Sequence, residues 1–328
     1  MKKIFSGILA ASAMAWFCAV GAQTTSKELE SVTYLLPAPK TLPAFAPYVL
    51  AEHLGYYSKA GLKLNFVAAK GGVDAAKQIG AGNAMIGHIR GDTPIMVRPN
   101  GVPIKIVALL GGGSLALIAS HRKQHIEEPA DLKGKTITVM AYTDTTYYSL
   151  LGTMSQAGLT RADADIQAAG PAGVWQLFAS GKSDVMVAVP DWIVNARQGG
   201  ADVRIMDPAK GFGTMSQAIA ASEDTIAKRP ELIQKVVDAT IKGMALIMND
   251  PDEAVRLYVE AEPSYAGKEA QLKEIFELYN QYVFGNQAVP GKIDAERLQK
   301  VQQFYVENGL VSKASPLDEL YTNQFVEN

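Results

Sequence analysis

Arg90 stands just beyond the apolar run 84–88, in the order Arg90-Gly91-Asp92-Thr93-Pro94. A guanidinium offers two parallel N–H donors, the arrangement that grips a carboxylate or sulfonate. Its alternative use is a salt bridge, to Asp92 or across a cleft. A hydroxyl-rich stretch, Tyr142-Thr143-Asp144-Thr145-Thr146-Tyr147, lies between a strand and a helix by pattern. Hydroxyls and free N–H groups at a helix start form an anion cradle, although Asp144 or Thr145 would equally cap the helix. Lys70-Gly71-Gly72 also opens a helix, where glycines serve either close anion approach or the turn itself. Pro39-Lys40-Thr41 follows the first strand, and Pro190-Asp191-Trp192 follows a later one. Trp192 would stack on an aromatic ligand or anchor its own helix. Asp191 would oppose an anion unless the ligand carried a donor such as an amine or ring N–H. The candidate ligand contacts are therefore Lys40, Thr41, Gly71, Gly72, Arg90, Ser114, Tyr142, Thr143, Asp144, Thr145, Asp191 and Trp192.

Bond-making chemistry finds little support. Gly134-Lys135-Thr136 and Gly181-Lys182-Ser183 resemble the ends of phosphate loops, but Pro129 and Gln176 occupy the position of the earlier glycine. Each triplet also runs into a strand, whereas a phosphate loop opens a helix. His121 and His125 have i,i+4 spacing, yet Arg122, Lys123 and the nearby Pro129 favour a solvated turn. His53 reads as a packing or surface residue, and His88 ends a strand beside the expected cleft. Gly113-Ser114-Leu115-Ala116 lacks the second glycine of a nucleophile elbow. No catalytic residue, metal site or cofactor is expected.

The elements that must position these groups alternate along the chain. Runs 32–36, 62–68, 84–88 and 104–110 read as strands, with helices at 43–60 and 73–80 between them. The pattern restarts with strands at 135–140, 165–169 and 184–189 and helices at 145–157 and 172–180. Such alternation implies α/β architecture with parallel sheets. Two long crossings, 104–120 and 203–221, would serve as hinge strands. Helices then follow at 225–248, 251–261, 268–283 and 294–308, expected to pack back on the first lobe. The expected boundaries are residues 23–113 with 215–328 for lobe one and 114–214 for lobe two. A cleft between them, outside the carboxyl ends of the strands, would take the ligand.

The chain has 328 residues, 48% of them hydrophobic and 20% charged, with a net charge of −2. That composition excludes a disordered or collagenous chain and gives no electrostatic case for nucleic acid. Lys2 and Lys3, an apolar run from residue 4 to 20, and Val20-Gly21-Ala22 have the order of a secretory signal peptide over 1–22, cleaved after Ala22. Ser6, Gly7 and Ser12 interrupt the run, which is too short for a membrane anchor. Lipid attachment at Cys18 is disfavoured by the preceding Trp16 and Phe17. Processing would leave 29 basic against 33 acidic side chains and remove the single cysteine, Cys18. Without a thiol there is no disulfide, thiolate metal site or cysteine nucleophile.

Three stretches carry a resemblance. Ala51-Glu52-His53-Leu54-Gly55-Tyr56-Tyr57-Ser58-Lys59-Ala60-Gly61-Leu62, Gly101-Val102-Pro103-Ile104-Lys105-Ile106-Val107-Ala108, and Pro129-Ala130-Asp131-Leu132-Lys133-Gly134-Lys135 resemble runs of the SsuA/THI5-like (NMT1-like) solute-binding proteins of ABC importers. The likeness extends over about residues 32–248. It implies a two-lobed periplasmic-binding-protein fold with a hinge and interlobe cleft. It also implies a monomeric extracytoplasmic carrier of a small organic anion, with a permease as partner. Where relatives often carry Asp after the first A-x-G turn, this chain has Asn83-Ala84-Met85. Pyrimidine-precursor enzymes on the same fold use a cysteine-rich run that this chain lacks. Enzyme and sensor subunit remain as rival roles.

Overall fold

A computed structural model describes residues 28–326. The basic and apolar N-terminal stretch, Cys18 and the expected cleavage site lie outside the described residues. Apolar, β-branched runs form the first four strands: β1 (Glu30–Leu36), β2 (Leu62–Ala68), β3 (Ile86–Arg90) and β4 (Ile104–Leu110). Five more follow: β5 (Leu117–His121), β6 (Thr136–Val139), β7 (Asp165–Ala168), β8 (Val185–Ala188) and β9 (Val203–Ile205). The last is β10 (Gln217–Ser222), buried along its whole length. They assemble into two five-stranded sheets, ordered β2-β1-β3-β10-β4 and β7-β6-β8-β5-β9. The protein is an α/β molecule of two lobes.

The sheets are mixed rather than purely parallel. β10 runs antiparallel to β3 and β4, and β5 runs antiparallel to β8 and β9. The cause is topological. The chain leaves the first sheet at the end of β4, enters the second through β5, and returns from β9 into β10. A strand that enters from the cleft must run opposite to the strands that end there. The carboxyl ends of β1, β3, β6 and β8 therefore converge on the cleft, where ligands of open α/β sheets bind.

Neither crossing runs straight through: the first breaks at glycines and the second at a turn over Pro208–Lys210. The stretch expected as one hinge strand over 104–120 is β4 and β5 separated by Gly111-Gly112-Gly113. A Cβ on Gly113 would lie 1.8 Å from the Tyr282 carbonyl oxygen, and one on Gly111 would lie 1.9 Å from that of Val283. Only glycine permits this approach, which lets Gly112 and Gly113 donate to Gly285 and Val283 oxygens at 2.8 and 3.0 Å.

The helical expectations hold with local breaks. The stretch 43–60 divides into a turn and the helices Ala46–His53 and Tyr56–Lys59, because Gly55 adopts left-handed backbone at φ +70°. The helix expected over 225–248 divides at Arg229, because Pro230 disfavours helical backbone before it. The helix expected over 268–283 ends as Glu269–Tyr279 followed by a widened turn at Asn280–Phe284. The C-terminal region returns to the first sheet, since Leu109 N–H donates to Gly291 O and Thr322 N–H to Ile106 O. Glu269–Tyr279 also reaches the second lobe through an ion pair between Arg197 and Glu274.

Arg297, on the helix Ala295–Glu307, holds the two crossings together. Its guanidinium donates to the carbonyls of Gly112 and Gly113 on one crossing and of Gly213 and Thr214 on the other. The Ser114 and Thr214 hydroxyls add a 2.8 Å link between the same segments. Replacing Arg297 by Met strands several buried acceptors, each costing about 1–3 kcal/mol before relaxation. Arg297→Met should lower unfolding stability by roughly 3 kcal/mol in urea titration; a loss below about 0.5 kcal/mol would show that the crossings hold without it.

Candidate functional site

The end of β3 supplies the first wall of the cleft. His88 is buried, with Nδ1 3.0 Å from the Tyr48 hydroxyl. Its ring meets Phe45 edge-on at 5.1 Å and Tyr48 at 5.6 Å. Burial, helped by the neighbouring Arg90 charge, pushes the imidazole down to about 3, so His88 stays neutral. It is enclosed between aromatic rings, a packing role for a residue near the strand end.

Arg90 follows one turn of the pleat later and reaches across the cleft. Its Nη1 lies 3.5 Å from Asp144 Oδ1, a salt bridge between the lobes, and makes no hydrogen bond. Asp144 is the N-cap of the helix Thr145–Gln156, where its Oδ1 accepts from the Thr146 N–H at 2.9 Å and hydroxyl at 2.8 Å. The sequence alternatives of cap and cleft residue are both realised in one carboxylate.

Asp92 makes the second interlobe link. It is fully buried; Oδ1 accepts from the Thr145 hydroxyl at 3.2 Å and Oδ2 from the Tyr305 hydroxyl at 2.6 Å. Burial raises its carboxyl above the usual range, opposed by the Tyr305 hydrogen bond and the Arg90 charge. Gly91 before it fits between Leu109 and Met215, where a Cβ would approach side-chain carbons at 2.7 Å. Thr145, expected as a ligand contact, is thus committed to Asp92.

A third junction surrounds Ala44, in the loop after β1. Gln217 opens β10 in register with Arg90, and its side-chain N–H donates to Ala44 O at 3.0 Å. Asp191 enters from the other lobe, in the first turn of the helix Pro190–Gln198. The Ala44 N–H and the Tyr279 hydroxyl favour its charged form, but burial dominates and raises its carboxyl to about 6. Four buried polar atoms here lack a hydrogen-bond partner: Arg90 Nη1, Asp191 Oδ1, Gln217 Oε1 and Tyr279 Oη. Unpaired buried groups are costly, and in native proteins such a group calls for a functional explanation.

The other expected contacts have different surroundings. Lys40 pairs with Glu52 at 2.6 Å, and Thr41 lends its carbonyl to the Tyr258 hydroxyl at 2.9 Å. Gly71 spends its N–H on Pro37 O, and Asp74 already accepts from the Lys70 N–H, so part of that anion cradle is used internally. Ser114 belongs to the crossings, with its hydroxyl donating to Ala116 O. Tyr142 is 44% exposed and hydrogen-bonds Ile166 O, and its neighbour Thr143 is exposed. Trp192 is half-buried against the core, which favours its anchoring alternative. The geometry therefore gathers Arg90, Asp144, Thr145 and Asp191 and leaves the others at the margins. The sequence reading missed Tyr279, Tyr305 and Gln217, and cited Asp92 only as a partner for Arg90. Gln217 had a visible signal, a polar residue opening the apolar run of β10. The two tyrosines had none, since an aromatic on an amphipathic helix reads as core.

The raised carboxyl of Asp191 fixes a sign for stability. Its folded pKa exceeds that of the unfolded chain, so the folded state holds the extra proton between the two values. This contribution is intact below the unfolded value and is lost as pH rises through about 6. Asp191→Asn should stabilise the protein by roughly 2–3 kcal/mol at pH 7.5, with the gain shrinking to nothing near pH 4. Urea titrations of both proteins across that range check it; a gain independent of pH would exclude ionisation as the cause.

Comparisons with known proteins agree with this architecture. A riboflavin-binding protein, RibY of Chloroflexus aurantiacus, is 26% identical over 299 residues, covering 86% of this chain and 82% of that one. A 4-amino-5-hydroxymethyl-2-methylpyrimidine phosphate synthase of Aspergillus parasiticus is 24% identical over 251 residues, 71% of each chain. The solved periplasmic aliphatic sulphonate binding protein SsuA of Escherichia coli superposes with a TM-score of 0.69 at 18% identity, over 92% of this chain and 94% of that one. The likeness extends the two-lobed fold over nearly the whole described chain and identifies it as the periplasmic-binding-protein fold. The family model described as NMT1/THI5 like matches residues 42–254, and the chain belongs to that family.

Proposed function

We propose that this protein is an exported, extracytoplasmic solute-binding protein, which captures a small organic acid between its lobes and delivers it to an ABC importer. The lobes are residues 23–113 with 215–328, and 114–214. The observation that carries this reading is the set of unpartnered buried polar atoms, led by Arg90 Nη1, where the two lobes meet. A bound solute would satisfy those atoms and join the lobes through contacts to both, which is how a ligand drives hinge closure. Arg90 takes the carboxylate or sulfonate end. A relative named for riboflavin and a fold neighbour named for sulphonates both support a carrier. The relative named as a synthase keeps catalysis as the alternative. Against it, the chain's one cysteine is Cys18, within the expected leader, and His88 is enclosed by aromatic rings.

The test begins with mass spectrometry of small molecules released by denaturing the natively purified protein. Calorimetry with the molecule so identified should give tight binding without turnover. Arg90→Ala should weaken binding about 100-fold, the loss of a charge-assisted pair. Unchanged affinity would remove Arg90 from the site, and conversion of the ligand by the pure protein would replace the carrier reading by the enzymatic one.

A further inference from the structure

The charge and hydrogen-bonding valence of the junction around Ala44 restrict the ligand more narrowly than an acid group alone. Arg90 already faces Asp144 across the cleft at 3.5 Å. Asp191 brings a second carboxylate to the same junction, where Arg90 is close enough to act electrostatically on Tyr279, the hydroxyl beside Asp191. Arg90 thus faces one carboxylate, Asp144, and Asp191 adds a second at the adjoining junction around Ala44, while the oxygens of Asp92 are occupied by Thr145 and Tyr305.

The unpartnered atoms point the same way. Arg90 Nη1 can only donate, Asp191 Oδ1 and Gln217 Oε1 accept, and the Tyr279 hydroxyl does either. A plain sulfonate or carboxylate offers acceptors alone. It would satisfy Arg90 and offer nothing to the Gln217 oxygen, and it would compete with Asp191 for the Tyr279 hydroxyl beside it. These atoms are contiguous: Gln217 and Arg90 are register partners on adjacent strands, Gln217 bonds Ala44 O, and Ala44 N–H faces Asp191. Asp191 and Gln217 are 8% and 1% exposed, so both oxygens lie away from the open surface.

We infer that the ligand is amphoteric: an acid group directed to Arg90 and, on the same molecule, an N–H donor directed to Asp191 and Gln217. The donor is a protonated amine or a ring N–H, and the molecule carries no net negative charge, or less than its acid group alone would give. This inference rests on the solute-binding reading and narrows its ligand class.

Matched pairs test it. Ethanesulfonate is compared with 2-aminoethanesulfonate, benzoate with 4-(aminomethyl)benzoate, and nicotinate with its 6-oxo derivative bearing a ring N–H. Calorimetric titration of the wild type, Asp191→Asn and Arg90→Met is set beside mass spectrometry of the molecule released from natively purified protein. In at least one pair the donor-bearing acid should bind about tenfold tighter or more, the preference falling to near parity in Asp191→Asn, with Arg90→Met weakening both members. The amine and ring pairs distinguish the two donors. Equal or tighter binding of the donor-free acids, unaffected by Asp191→Asn, overturns the inference and leaves the carrier intact. So does release of a native ligand without an N–H group. If no acid binds and nothing is released, the carrier reading fails and this inference with it.

Discussion

One guanidinium is bonded to both segments that link the lobes. Arg297 donates to carbonyls of Gly112 and Gly113 and to those of Gly213 and Thr214, so a residue late in the chain holds both crossings. The triple glycine makes this possible by letting the first crossing lie directly on the backbone of residues 282–285. Peptide carbonyls, rather than a carboxylate, surround the charge; they satisfy its donors without fixing a single lobe angle through one strong ion pair. The bonds lie near the pivot, where rotation of the lobes moves atoms least. A hinge of this kind resists separation of the crossings and still permits bending.

Farther from the pivot, the lobes meet through groups that ligand exchange can replace. Asp92 accepts from Tyr305 within its own lobe and from Thr145 across the cleft, at 2.6 and 3.2 Å. Arg90 and Asp144 approach only to 3.5 Å and share no hydrogen bond. The firm bond of Asp92 is thus internal to one lobe and these two contacts across the cleft are long, whereas Arg197–Glu274 at 2.5 Å and Gln271–Asn195 at 2.9 Å tie the lobes at another point. If these contacts part, Asp144 still caps its helix through Thr146 and Asp92 keeps Tyr305.

The sequence revealed the frame better than the junctions. Strands such as β1 and β4 were legible because their apolar runs match elements buried in a sheet, and Arg90, Asp144 and Asp191 because they end strands or start helices facing the cleft. What stayed hidden depends on contacts distant in sequence. Nothing local to Tyr305 distinguishes it from a core aromatic, yet it meets Asp92, 213 residues away. Strand direction was hidden too, since residue pattern is the same whichever way a strand runs. The helix breaks at Gly55 and Pro230 carried their own signals, but the apolar periodicity continues through both and outweighed them.

Two buried titratable groups show what the site costs the fold. His88 is neutral because burial and Arg90 exclude a second positive charge, so acid must break its environment to protonate it. Its contribution is fully present above the unfolded histidine range and is lost as pH falls toward about 3. Asp191 has the opposite slope, its burden growing as pH rises through about 6. Between these values the two effects offset one another, and at neutral pH only the Asp191 burden remains. His88 is repaid within the fold by Tyr48 and Phe45. The Ala44 N–H and the Tyr279 hydroxyl beside Asp191 do not outweigh its burial, and exchanging the carboxylate for an amide would relieve the cost. Among the described residues, that charge sits beside a guanidinium, a glutamine oxygen and a tyrosine hydroxyl that also lack hydrogen bonds, so the polar cost of the fold is concentrated where the two lobes meet.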